Sequence, residues 1–563
     1  MLSLAGLGLA ALVLYPTGRL LSGTFTSRSG QVPLALYLEA LQSEANRAAA
    51  VHSVTVAGAG TLIGTLLGVS LAWLVSRSDV QGRRWFRPAL AIPYIIPPFI
   101  GAIAWVYLLG PVGYLTRLVF PAGGAPFRLY GFGGVLLVMV LYGYPIPYVT
   151  ALAGFESIDA EQEEAARTSG AGPWRAFRNV TLPALVPAIG AGAGLLFLSL
   201  LSNFGIAQVI GFPGRYFVMT TRIYALVLDS SRSDNLQAAA ALSLLLAVGA
   251  AGGIALANGV WRVATRGRGA ARLTTGRTAS RGAEPVALGP WRPVCAGLML
   301  LFLLFSVVAP LTAIAITSLT PVYGLSISAA QLSLTNYHQL LALDAAKRAL
   351  TDSLLLAAGA AALIVAVSSA LGYLNERQRS PVLRLLEWLL SIPYVVPGTV
   401  VGVAFILAFA PPLPLLHLRL YNTIWIIFLS YLARFALLGL RSARATVRGI
   451  DVALEEAGRV SGAGAGRVFR DVVFPLLRPA SLATIFLVFA PAFSEATLSP
   501  LLISVGHETV GALALGLNDE GQVLLVAALS AIILVIVMLV QGLALLGSRR
   551  SGRAALPEGR MFG

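Results

Sequence analysis

The chain has 563 residues, 57% of them hydrophobic and only 11% charged, with a mean hydropathy of +0.81. Soluble domains carry charge at about a quarter of their positions, so a soluble enzyme of this length is excluded. The remaining charges are lopsided: 40 Lys and Arg against 24 Asp and Glu give a formal net charge of +16. In a soluble protein that excess would suggest nucleic acid or an anionic surface, whereas in a membrane protein it records which loops stay inside.

Runs of about 20 mostly apolar residues, the length that crosses a hydrocarbon core, occur about twelve times. They lie at 2–21, 51–75, 89–109, 132–153, 184–210 and 236–260, then 294–319, 353–374, 385–410, 423–440, 476–505 and 523–546. The fold class is an all-α polytopic membrane protein. Pro16 and Arg19 interrupt the first run, but no basic residue precedes its apolar stretch from Met1 to Leu14. An anchored helix is therefore expected in preference to a cleaved signal peptide. Residues 262–292, with Arg262, Arg266, Arg268, Arg272, Arg277, Arg281 and Arg292 against the single acid Glu284, cannot bury a core and read as a flexible linker.

The chain on either side of that linker is duplicated. Ser53, Trp73, Arg77 and Ile92-Pro93-Tyr94-Ile95-Ile96-Pro97 recur as Ser353, Tyr373, Arg377 and Ile392-Pro393-Tyr394-Val395-Val396-Pro397 at an offset of 300. Residues 163–188 recur as 455–480 at an offset of 292. One indel between two fixed registers is the mark of tandem duplication. Six spans per copy make the repeats parallel, facing each other across an axis along the membrane normal. The expected organisation is a first repeat over 1–261, the basic linker 262–292, a second repeat over 293–548 and a tail over 549–563.

An N-terminus placed in the cytoplasm puts 29 of the 40 basic residues, and about +15 of the net charge, on the cytoplasmic side. The opposite orientation would violate the positive-inside rule, so both termini are expected inside. Cys295 is the only cysteine, and His52, His338, His417 and His507 are scattered. No metal-ligand set or catalytic constellation is visible, and no cofactor is expected on this chain. A membrane-embedded enzyme fails on the same ground.

The strongest signal is a duplicated polar segment between the fourth and fifth spans of each repeat, at about 156–183 and 444–475. The first copy runs Glu163-Glu164-Ala165-Ala166-Arg167-Thr168-Ser169-Gly170 and continues to Val180, Leu182 and Pro183. The second runs Glu455-Glu456-Ala457-Gly458-Arg459-Val460-Ser461-Gly462 and continues to Val472, Phe474 and Pro475. Each reads as a short helix, a glycine turn and a second short helix ending before proline. Glu164 with Arg167, and Glu456 with Arg459, have the i,i+3 spacing of ion pairs. An ordinary amphipathic surface loop would not repeat such spacing on the same side.

This pattern resembles the EAA loop of the permease subunits of ABC importers with the MetI-like fold. The resemblance implies that these loops are coupling helices that dock on ATP-binding subunits. Glu164, Ala165, Ala166 and Gly170, with Glu456, Ala457, Gly458 and Gly462, would be the coupling positions. Gly458 in place of alanine and Phe474 in place of leucine are mild departures. The implied partners are two copies of a cytoplasmic ATP-binding subunit, a periplasmic or lipid-anchored substrate-binding protein and the lipid bilayer, with no nucleic acid. No phosphate-binding loop occurs in the sequence, and Lys347 sits in a glycine-free stretch, so ATP and Mg would act on the partner.

The fused two-repeat length, with Ile92-Pro93-Tyr94 to Pro98, Leu129-Tyr130-Gly131, Asn203-Phe204-Gly205 and Thr220-Thr221-Arg222-Ile223-Tyr224, is similar to the Fe(III) importer permeases of the bacterial inner membrane. Thiamine, phosphonate, polyamine or another small solute are the alternatives. An ion-coupled secondary transporter is the rival of a different class, but it would leave the duplicated loops unexplained.

Asn203 and Glu495 occupy equivalent positions within apolar runs. A carboxylate at membrane depth costs about 2.5–3.5 kcal/mol on insertion scales and should face protein or water. Two readings stay open: a translocation gate, or polar groups closing helix ends at the outer membrane edge. The proline-rich stretches 92–98 and 392–397 must interrupt helical hydrogen bonding, and a structural kink is favoured over contact with cargo.

Overall fold

The computed structural model describes residues 2–25, 33–121, 127–158, 165–166, 168–229, 231, 235–265, 285–324, 332–378, 380–413, 417, 419–503 and 506–550. In chain order its principal helices are α1 (Leu2–Phe25), α2 (Glu44–Arg77), α3 (Pro98–Val119), α4 (Phe132–Ser157), α5 (Phe177–Leu201), α6 (Met219–Leu228), α7 (Asn235–Ala255) and α8 (Trp291–Leu319). They continue as α9 (Asp344–Gln378), α10 (Pro381–Val395), α11 (Gly398–Phe409), α12 (Ile424–Arg448), α13 (Val452–Val460), α14 (Ala465–Phe493) and α15 (Val523–Ala544). Among the described residues ten helices are long and apolar enough to cross a membrane, or eleven when the α10–α11 pair counts as one broken span. With α1, which is 24 residues long, the architecture is all-α with about twelve spans.

The helices pack as two compact units, each assembled from both sequence repeats. One contains residues 1–47, 219–247 and 317–555, the other 48–218 and 248–316. In the former, α1 lies on helices of the second repeat: Val13 is buried with Leu371, Leu386, Leu390, Ala436 and Leu440. Tyr15 meets Phe409 edge-on at 5.8 Å. In the latter, α8 lies on helices of the first repeat. Met299 joins the core of Leu71, Tyr144, Phe155 and Leu185, Phe302 meets Tyr144 at 5.3 Å and Phe305 meets Trp105 at 4.9 Å. Each repeat thus lends its first helix to the unit built on the other.

The expected span at 385–410 is one helix interrupted by a bend of 108°. Val396 precedes Pro397 and is driven to extended backbone, with ψ of 140°. In the first repeat the same prolines leave a single turn, Ile92–Tyr94, before α3 starts at Pro98. At membrane depth no water can satisfy the freed carbonyls, so side chains do. Tyr144 donates its hydroxyl to the Leu90 carbonyl at 2.8 Å, and Tyr148 donates to that of Arg87 at 2.8 Å. In the second repeat Arg434 reaches the carbonyls of Pro393 and Val396, both at 3.4 Å.

The runs expected at 184–210 and 476–505 are corrected by the structure, because α5 stops at Leu201 and α14 at Phe493. A polar residue follows each stop and caps a new helical stretch. Within the expected linker, residues 262–265 continue the helix Asn235–Thr265, residues 285–292 are described, and 266–284 lie outside the described residues.

Helices in lipid associate through close packing of small residues more than through hydrophobic drive. At Gly68 on α2, a Cβ would come 2.7 Å from the Tyr144 carbonyl oxygen and 2.8 Å from the Tyr148 nitrogen of α4. Gly249 on α7 has nothing within 4 Å. Gly68→Leu should therefore cost about 1–3 kcal/mol by overpacking, read as a lower melting temperature in detergent, whereas Gly249→Leu should leave melting within error of the parent.

Candidate coupling segments and helix breaks

The second polar segment begins with an N-cap: the Asp451 side chain accepts from the Ala453 backbone N–H at 3.0 Å and starts α13. Its first-turn acid, Glu455, is only 2% exposed. Arg377, at the end of α9, donates from Nε to Glu455 Oε1 at 2.7 Å, and the Tyr373 hydroxyl donates to Oε2 at 2.8 Å. The same guanidinium donates from Nη2 to the carbonyls of Ile450 at 2.9 Å and Val447 at 3.4 Å. One arginine thus closes the C-terminal end of α12 and anchors the next helix. Beneath it, Tyr373, Val447, Ile450, Val468, Val473 and Leu477 form a small apolar core.

The carboxylate that pairs is therefore Glu455 with Arg377, not Glu456 with Arg459. Glu456 and Ala457 are exposed, and beside them Val452, Leu454 and Val460 present apolar surface, Val460 at 89% exposure. Gly458 faces inward, where a Cβ would come 3.3 Å from Val468 Cγ2. That explains a residue smaller than alanine at this position. Gly462 has φ +81°, a left-handed conformation that makes glycine the residue of choice.

In the first segment Glu164 and Arg167 lie outside the described residues. Ala165 and Ala166 are helical, and Gly170 has φ +82°. The turn is built identically in both copies. Ala171 N–H bonds the Ala166 carbonyl at 3.0 Å, and Ala463 N–H bonds that of Gly458 at 3.1 Å. Arg77, the counterpart of Arg377, donates to the Phe155 carbonyl at 2.8 Å. Beyond the turn the expectation of a short helix ending before proline is corrected. A wide π turn, Phe177–Thr181 or Phe469–Val473, leads straight into the next helix. Pro183 and Pro475 fall in its first turn, where the missing N–H costs little.

Asn203 and Glu495 perform the same local task. Asn203 Oδ1 accepts from Ile206 N–H at 3.0 Å. Glu495 is 6% exposed, and its oxygens accept from the N–H groups of Thr497, Leu498 and Ser499 at 2.8–2.9 Å. It thereby caps the short helix Ser499–Leu502. Its carboxylate is committed to backbone donors. A Cβ on Gly398 would meet Thr497 Cγ2 at 2.8 Å and Arg434 Cζ at 3.3 Å. The capped break and the bent α10–α11 span therefore lie against each other. Sequence reasoning missed Arg377, Tyr373, Glu455 and Arg434. The signal was present for the first three, which sit inside the repeated blocks.

Losing Glu455 leaves the Arg377 guanidinium without its carboxylate at a mostly buried site. Glu455→Ala should loosen α13 by about 1–3 kcal/mol and speed tryptic cleavage after Arg459 and Arg467 by roughly tenfold or more. Glu456→Ala should leave the cleavage rate unchanged.

Two stretches, 64–264 and 359–552, match the family described as the binding-protein-dependent transport system inner membrane component. The "Probable ABC transporter permease protein y4fN" of Sinorhizobium fredii is 27% identical over 477 residues, 84% of this chain and 82% of that protein. The "Ferric transport system permease protein FbpB" of Actinobacillus pleuropneumoniae is 26% identical over 494 residues, covering 86% and 69%. The "Molybdenum transport system permease protein ModB" of Mycobacterium tuberculosis is 32% identical over 211 residues, 38% of this chain and 78% of that one. The family match falls once on each repeat and takes in both polar segments. The chain belongs to the binding-protein-dependent transport system inner membrane components, as a fused, MetI-like, multi-pass ABC importer permease of the inner membrane that works with ATP-binding and substrate-binding partners.

Proposed function

We propose that this permease carries Fe(III) inward, and that its two polar segments are the coupling helices that transmit ATP hydrolysis from two copies of a separate cytoplasmic ATP-binding subunit. The observation that carries the coupling reading is the way α13 is held. Its buried acid is anchored from α9, while Glu456, Ala457 and Val460 face outward on a rigid platform. Val452, Leu454 and Val460 expose apolar surface together beside the Glu456 carboxylate, a patch suited to cover by a protein partner. Equivalence by the repeat gives Glu164, Ala165, Ala166 and Gly170 the same role, with Gly458 and Gly462 shaping the second turn. ATP and Mg act on the partner, and this chain needs no cofactor of its own.

Fe(III) is supported by the ferric transport names of relatives that align along most of this chain. A second reading, an oxyanion such as molybdate, is favoured by the relatives named for molybdenum transport, which align with one repeat's length. Substrate arrives on a periplasmic or lipid-anchored binding protein. The concentration of 29 of 40 basic residues on one side, with Arg434 counted in its nearest loop, supports cytoplasmic N- and C-termini. Asn203 and Glu495 contribute to the gate by fixing the breaks after α5 and α14.

Reconstituted with its ATPase and binding protein, the permease should accumulate radiolabelled Fe(III) in an ATP-dependent manner. Accumulation of molybdate without Fe(III) would move the assignment to the oxyanion. Uptake driven by a pH gradient in the absence of the ATPase would overturn the importer reading altogether.

Two sets of variants test the residues. Glu164→Lys with Glu456→Lys should lower transport by about tenfold or more, the effect of losing roughly 1.4 kcal/mol of docking, at unchanged membrane content. For the gate, Glu495→Ala and Asn203→Ala should each slow uptake by at least several-fold, since an uncapped buried helix start costs about 1 kcal/mol or more. Wild-type rates in both would remove that role.

A further inference from the structure

Among the described residues, the root of the first coupling segment has a linker contact that the root of the second lacks. Where α2 ends, Arg77, Ser78 and Asp79 pair with the C-terminal end of the linker in a short parallel bridge, Ser78 with Val286. Val286 N–H donates to the Arg77 carbonyl at 2.8 Å, and Asp79 N–H donates to the Val286 carbonyl at 3.2 Å. The Asp79 carboxylate accepts from Leu288 N–H at 2.9 Å and lies 3.9 Å from Arg292 Nε. Leu288 then packs on the core that contains Val80, Phe155 and Ile158.

This is the same Arg77 whose guanidinium holds the Phe155 carbonyl at 2.8 Å and stands over the Phe155 ring. Phe155 and Ile158, at the root of the first coupling segment, are both buried. Linker, α2 terminus and segment root therefore form one continuous set of contacts within a single compact unit. In the second repeat, Gln378 ends α9 and Ser380 leads at once into α10. There the root is fixed by Tyr373, Arg377 and Glu455; position 73 is a tryptophan, with no hydroxyl to repeat the Tyr373 bond.

We infer that the end of the inter-repeat linker is a strap, with Val286, Leu288 and Asp79 as positioning residues, that sets the first coupling segment and leaves the second untouched. The inference rests on reading these segments as coupling helices. It adds that the two ATPase contacts of this fused chain are supported differently, one through the linker that fuses the repeats.

Val286→Pro removes the N–H that bonds Arg77, and Asp79→Ala removes the acceptor for Leu288. Asp79→Asn keeps an acceptor oxygen and serves as the rescue. Hydrogen exchange is followed on the full-length variants in lipid nanodiscs, comparing peptides from 155–183 and 447–475. Loss of one such bond should speed exchange of the first peptide by about fivefold in Val286→Pro and Asp79→Ala, but not in Asp79→Asn, with the second peptide unchanged. Equal acceleration of both peptides, or of neither, overturns the strap.

A cross-linking arm separates this from the coupling reading. In a Cys295→Ala background, Ser169→Cys and Ser461→Cys should both cross-link to engineered cysteines on the ATP-binding subunit, and the strap variants should lower the yield only for Ser169→Cys. Failure of both positions to cross-link in the parent defeats the coupling reading while the exchange result still decides the strap.

Discussion

A helix that stops at a membrane surface leaves carbonyls with no partner, and in both repeats one arginine from a neighbouring helix supplies it. Arg77 holds Phe155, and Arg377 holds Val447 and Ile450. Much else depends on that bond. It fixes where the fourth span ends and hence where the polar segment starts. In the second repeat the same guanidinium also takes the buried Glu455 carboxylate, which ties the end of α12 to α13. A multidentate arginine suits this place, since one planar cation can satisfy carbonyl and carboxylate together.

The same demand, that buried backbone be satisfied from within, organises the membrane-embedded breaks. The prolines open the third spans, and Tyr144, Tyr148 and Arg434 close the carbonyls they free. The stops after α5 and α14 expose N–H groups instead, and Asn203 and Glu495 close those. Acceptors freed by proline meet donors, and donors freed at helix starts meet acceptors. This complementarity accounts for Tyr144, Tyr148, Arg434, Asn203 and Glu495, which is why an intramembrane glutamate need not signal proton coupling.

Much of this was legible in the sequence because duplication supplies an internal control. The offsets of 300 and 292 located the repeats, the indel and both polar segments without any structure. What stayed hidden depends on three-dimensional neighbours. Glu455 and Glu456 are adjacent acids of the same type, and only the approach of Tyr373 and Arg377 makes one buried and leaves the other exposed. The breaks at Asn203 and Glu495 sit within runs that hydropathy cannot divide, since the residues beyond are as apolar as those before. The exchange of α1 and α8 between units leaves no periodic trace, because any apolar helix face suits any other in lipid.

Comparing equivalent positions shows how the two copies have diverged without losing their balance. Arg87 pairs with Glu156 in the first repeat. The matching positions in the second are Glu387 and Arg448, with every sign reversed, and they join a network in which Arg444 and Arg448 meet Glu376 and Glu387. Deeper in the spans, Arg434 and Glu495 of the second repeat stand where the first has Tyr142 and Asn203. A cation and an anion are both present or both absent. A buried charge with an opposite charge nearby costs less than a lone one, which favours keeping or losing the two together. The strap follows the same logic at the level of backbone. The first repeat has Trp73 where the second has the Tyr373 hydroxyl at its segment root, and there the linker bonds the end of α2 instead.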